Sequence, residues 1–95
     1  MSAVIDEAVK ELNAKLGPSG FDGSAKFVID GEGAIVMDEA GARPADTETD
    51  VTLTANADTF KEILDGELNP TAAFMTGRLK VDGDMGQAMK LATIL

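Results

Sequence analysis

The stretch DTFKEILDGELNPTAAFMTGRLKVDGDMGQAMKLATIL, Asp58 to Leu95, changes its period three times. Phe60, Ile63 and Leu64 share a helical face. Thr59-Phe60-Lys61-Glu62 fits a capping box, so Asp58 or Thr59 is the expected cap, and Gly66 is the stop. Asn69-Pro70 opens a second short helix, with proline in the first turn where its missing N–H does no harm, and Gly77 ends it. From Arg78 to Asp82 the period drops to two, with Leu79 and Val81 on one face and Arg78 and Lys80 on the other. Asp84 then caps a last helix, with Gln87 in the matching capping-box position. Met85, Ala88, Met89 and Ala92 line one face of that helix, flanked by Leu91 and Leu95.

Upstream of this stretch the chain reads as strands behind one helix. Asp50–Asn56 alternates Val51, Leu53 and Ala55 with Thr52 and Thr54. Ala42–Ala45 suits a short edge strand, because Pro44 cannot donate to a central ladder. Ala34–Asp38 puts Ile35 and Met37 on one face, and Ser24–Asp30 does the same with Ala25, Phe27 and Ile29. Gly31-Glu32-Gly33 and Glu39-Ala40-Gly41 are the turns between them. Ile5, Ala8, Val9, Leu12 and Leu16 recur at helical spacing, and Gly17-Pro18 ends that first helix. Asp6 with Lys10, and Glu11 with Lys15, are acid-before-base pairs expected to support it. The order is helix, three or four strands, two helices, strand, helix. That is an α+β domain: an antiparallel meander with one late strand added through a helical crossover.

Composition narrows the chemistry. A chain of 95 residues with 44% hydrophobic residues is one globular domain. Eight basic residues against seventeen acidic ones leave a net charge of −9, which argues against nucleic acid as a partner and limits contact with anionic membranes to transient encounters. With neither Cys nor His, the chain holds no disulfide, thiolate zinc site, Ser-His triad or Cys-His nucleophile. No basic-then-apolar leader opens the chain and no apolar run spans a bilayer, so a cytoplasmic protein is expected.

Four features compete as sites. Asp46-Thr47-Glu48-Thr49-Asp50 alternates carboxylates, but Val51 stands where a calcium loop needs glycine, so a solvated loop is expected and no metal. Asp82 and Asp84 flank Gly83 without a nucleophile and read as a turn and a cap. Arg78 and Lys80 read as a solvated strand face that is able to meet an anionic head group. The remaining feature is the methionine set: Met37, Met75, Met85 and Met89. Methionine fills irregular space and adapts to varied apolar ligands, yet pattern alone assigns the set to ordinary core packing.

The run from Gly66 to Leu91 also carries a family signature. Gly66, Pro70, Thr71, Ala73, Phe74, Met75, Gly77, Arg78, Leu79, Lys80, Val81, Gly83, Asp84, Met85, Ala88, Met89, Lys90 and Leu91 match, position by position, the motif of the sterol-carrier-protein type 2 lipid-binding domain. The chain closely resembles that family, over nearly its whole length. The resemblance implies a five-stranded, mostly antiparallel sheet covered on one face by helices, with an apolar tunnel between the layers. It implies binding and carriage of a fatty acid, acyl-CoA, phospholipid or sterol-like lipid, without catalysis and without a cofactor. It turns the methionines into lining candidates, together with Phe27, Ile29, Ile35, Leu53, Phe60 and Phe74. A dry void of about 400 Å³ would cost about 10 kcal/mol, comparable with the whole stability of such a domain, so an empty tunnel should collapse, hydrate or stay loaded.

Two departures shape the expectation further. Many eukaryotic members continue into a segment that covers the tunnel and ends in a peroxisomal tripeptide, which Thr93-Ile94-Leu95 is not. An open tunnel, or one covered by a second subunit, is expected. The first helix is acidic, unlike the basic membrane-touching helix of animal transfer proteins. The competing reading keeps the fold but fills the tunnel with side chains and works as a dimerisation module or a dock for a partner enzyme.

Overall fold

The computed structural model describes residues 3–95. Nine elements follow one another: α1 (Ala3–Leu16), β1 (Ala25–Ile29), β2 (Gly33–Asp38), β3 (Gly41–Pro44), β4 (Val51–Ala55), α2 (Ala57–Leu64), α3 (Pro70–Met75), β5 (Lys80–Gly83) and α4 (Met85–Ile94). The five strands form one sheet in the order β3-β2-β1-β4-β5. The α+β class and the five-stranded, mostly antiparallel sheet follow the expectation.

Each strand forms where the alternation places it. In β1 and β4, every second residue is buried: Ala25, Phe27 and Ile29 in one, Val51, Leu53 and Ala55 in the other. Both are central strands, and their period-two pattern fixes the register, since a slip of one residue would turn the apolar set to water. One row of paired residues crosses four strands: Ile35 beside Phe27, Phe27 beside Leu53, Leu53 beside Val81. These four side chains all point to the helical layer.

The expected meander stops at β3. The chain then returns through Ala45–Asp50 to the far side of β1, and β4 pairs with β1 in parallel. The reading of the sheet as a meander with one added strand is corrected here. A pairing made between segments twenty-odd residues apart leaves no local mark in either strand. The acid-rich return segment is held by ordinary contacts: Lys26 Nζ lies 2.8 Å from Asp46, and the Asp50 N–H donates to Ser24 Oγ.

On the outer face, Val36 is buried although it points away from the helices. It stands in register between Lys26 and Arg43, whose long stems flank it. Arg43 makes two bonds to the carboxylate of Asp38, at 2.9 and 2.8 Å.

The helices cover the inner face. α1 packs on β2 and β3, α4 on β4, β1 and β5, and α2 on α1. Ile5, Ala8 and Leu12 are the buried stripe of α1, as the spacing predicts. Asn13 ties its end to β3, accepting from the Ala42 N–H at 2.8 Å and donating to the Ala42 carbonyl at 3.0 Å. The expected pairs Asp6–Lys10 and Glu11–Lys15 do not form ion pairs among the described residues. Long side chains in water gain little from such contacts and lose rotamer freedom in making them.

One cap and one capping box also differ. The cap of α2 is Asn56, which accepts from the Thr59 N–H at 2.8 Å, and not Asp58 or Thr59. Asn, Asp and Thr all cap well, and here the one nearest the strand end takes the position. At α4, Asp84 caps as expected, accepting from the Gln87 N–H. Gln87 does not complete the box, because the Asp84 N–H already donates to the Asp50 carbonyl at 2.9 Å.

Candidate functional site

The site grows out of the junction between α3, β5 and α4. Asn69 starts α3 by accepting from the N–H groups of Thr71 and Ala72, and Pro70 follows at the first helical position. After six residues the helix closes, with Thr76 Oγ1 donating to the Ala72 and Ala73 carbonyls. The Ala73 carbonyl also accepts from the N–H groups of Arg78 and Leu79. This folds the chain back so that Leu79 is buried directly before β5.

Gly83 then allows the close approach that launches α4. Its φ is +114°, and a Cβ there would lie 2.5 Å from the Asp50 carbonyl oxygen. Only glycine takes both the backbone angle and the contact.

These constraints leave a groove of about 220 Å³ between α3 and α4. Leu53, Leu79 and Val81 form its floor. Pro70, Thr71, Phe74 and Met75 form one wall, and Met85, Ala88, Met89, Ala92 and Leu95 the other. Thr71 is the single polar residue among these twelve. Phe74 is 43% exposed, Met75 80%, Met85 47% and Met89 61%. Four large apolar side chains thus meet water around one slot, an arrangement that soluble surfaces seldom keep without a use for it.

The ten lining candidates divide evenly. Leu53, Phe74, Met75, Met85 and Met89 come together in the groove. Phe27, Ile29, Ile35, Met37 and Phe60 lie in the closed core, at 0–1% exposure. Phe27 and Phe60 meet edge to face with ring centres 4.7 Å apart, filling the space between sheet and helices. The space between the layers is packed with side chains and the accessible apolar volume is open on one side. On α4, Ala88 and Leu91 press on the sheet, while Met85 and Met89 turn to the groove instead of reaching back across the sheet. The sequence reading passed over Pro70, Thr71, Leu79, Val81, Ala88, Ala92 and Leu95 as lining. For the α4 wall the signal was present, since Met85, Ala88, Met89 and Ala92 share one stripe at i, i+3, i+4 and i+7.

Among the described residues, no charged side chain lines the groove. Arg78 is paired with Glu62. Lys80 stands in register with Thr54 on the outer face, so both basic candidates for a head group lie across the sheet from Leu53 and Val81. Lys90 donates to the Asp22 carbonyl at 2.7 Å and sits 5.6 Å from the centre of the Phe21 ring. Asp38 has its pKa lowered, first by the Arg43 hydrogen bonds and then by the Ala40 N–H, but it lies at the β2–β3 turn, on the opposite side of the sheet order from the groove. What the groove can do chemically is take apolar surface out of water.

The SCP-2 sterol transfer family matches residues 3–95. Hydroxysteroid dehydrogenase-like protein 2 of Xenopus tropicalis is 35% identical over 99% of this chain, which spans 22% of that protein's length. Sterol carrier protein 2 of Homo sapiens is 35% identical over 87% of this chain, which spans 14% of that protein. Among solved structures, Sterol Carrier Protein-2 from Aedes aegypti, in complex with the C16 fatty acid palmitate, superposes with a TM-score of 0.77 at 25% identity, covering 98% of this chain and 94% of that one. With the family's model matching residues 3–95, the chain belongs to the SCP-2 sterol transfer family.

Proposed function

We propose that the domain binds a lipid tail in the α3/α4 groove and carries or presents it without chemistry. The observation that carries this reading is the groove itself, twelve residues of which eleven are apolar, with four large side chains exposed around it. The palmitate complex of the mosquito relative supports a long acyl chain as ligand. The names of the longer relatives point to steroid- or sterol-related partners. A fatty acid, acyl-CoA, phospholipid or sterol-like molecule all share the required apolar body.

The volume of about 220 Å³ lies below the roughly 300 Å³ at which pockets for small molecules begin. A bound tail therefore needs α3 and α4 to part. Three unbranched methionines on the two walls make such widening cheap, since their side chains re-pack without large strain. The place of work we propose is the cytoplasm, with only transient membrane contact, because a net charge of −9 is repelled by anionic bilayers. No helix among the described residues is long and apolar enough to cross a membrane.

One observation favours a second reading. The space between the layers is filled by Phe27, Phe60 and their neighbours, so the exposed methionines also suit contact with a second copy or a partner enzyme. Native mass spectrometry after lipid extraction, with palmitate added back, separates the two. The carrier reading expects a one-to-one adduct at a Kd of about 10 μM or tighter. A protein that stays lipid-free at saturating palmitate, sterol and phospholipid, and elutes as a dimer, excludes it in favour of the second reading.

A further inference from the structure

A second groove, of about 390 Å³, runs between α1 and α2 on another part of the surface. Its floor is apolar but closed, with Ala8, Phe60 and Leu64 all buried, and Val4 at the edge is 38% exposed. Its rim is acidic. Glu7 and Glu11 come from α1, Asp58 and Asp65 from α2, and Lys61 is the one base among the lining residues. No Lys or Arg forms an ion pair with any of the four carboxylates among the described residues.

Three of these acids do nothing for the helices that bear them, Asp58 in the first turn of α2 being the exception. Glu7 and Glu11 stand four residues apart on one face of α1, where like charges oppose the helix. Asp65 is the C-cap of α2, beside the negative end of its dipole. An apolar trough between two helices, edged by unpaired negative charge, is complementary to a third helix with an apolar stripe and basic flanks.

We propose that the α1/α2 groove docks a basic amphipathic segment of a partner protein. The segment sets its apolar face against Val4 over the closed floor, and Lys or Arg against Glu7, Glu11 and Asp65. This surface is separate from the lipid groove, which shares none of its lining residues. A loaded domain therefore has a way to be held by the protein that delivers to it or takes from it.

The test uses a Leu/Lys amphipathic peptide of about 12 residues, whose helix is about 18 Å long. Its binding to the whole chain is measured by fluorescence anisotropy, alongside amide chemical shifts. Two triple variants remove the same charge: Glu7→Gln/Glu11→Gln/Asp65→Asn in the groove, and Asp30→Asn/Glu39→Gln/Glu48→Gln away from it. Both sets are surface changes, so the fold persists. The proposal expects shifts centred on Val4, Ala8 and Leu64. It also expects a loss of about tenfold or more for the groove variant and of less than about twofold for the control. Equal losses would show attraction to the net charge alone and overturn it. So would shifts confined to the α3/α4 groove, the absence of binding by the unmodified chain, or self-association that the groove variant abolishes, since a second copy would then be the occupant.

Discussion

Phe60 and Met75 carry the same apolar label in the sequence and opposite physical roles in the fold. Phe60 is 1% exposed, set edge-on against Phe27, and its removal would leave a cavity that the sheet cannot close. Phe60→Ala is expected to lose about 3–5 kcal/mol, a large part of the stability of a domain this size. Met75 is 80% exposed on the groove wall, so Met75→Ala should stay within about 0.5 kcal/mol. Urea unfolding of the two variants checks the contrast directly. Equal losses would mean that Met75 packs inward and that the groove is not where its side chain lies. Alternation alone could not tell these residues apart. Both occupy apolar positions on helices, and only the sheet beneath them decides which reaches the core.

At the scale of elements, α3 is too short to persist by itself, with six residues and less than two turns. Its cap, its return turn and Ala73 under it hold the groove wall in place. Asn69→Ala removes the acceptor for the Thr71 and Ala72 N–H groups and should cost about 1 kcal/mol. Hydrogen exchange at the Ala73 and Thr76 amides is expected to quicken, with α1 and β1 unchanged and lipid affinity lowered. Uniform acceleration throughout the chain would instead show that α3 opens only with the whole domain. The elements themselves were legible, because each has a clean period and a punctuating Gly, Pro or Asn. The resemblance supplied the five-stranded sheet. The parallel pairing of β1 with β4 was not readable, since it joins distant segments and alters neither strand's alternation. The Asn56 cap was missed for a local reason, with three good capping residues standing within four positions. The Met85–Ala92 stripe was visible, but its direction depends on Ala88 and Leu91 pressing against the sheet.

For the whole molecule, the two layers are closed against each other, and four of the five exposed large apolar side chains among the described residues are gathered at one end, between α3 and α4. A collapsed interior is what the cost of a dry cavity demands of a domain with about 5–14 kcal/mol to spare. On the proposed reading, ligand binding spreads the groove walls, and the methionines are the side chains that register it. Methyl resonances of methionine-labelled protein, followed through a palmitate titration, test this most directly. The account predicts saturable shifts at Met75, Met85 and Met89 with one-to-one stoichiometry. Unchanged Met75, Met85 and Met89 methyls in a protein that demonstrably binds palmitate would contradict it.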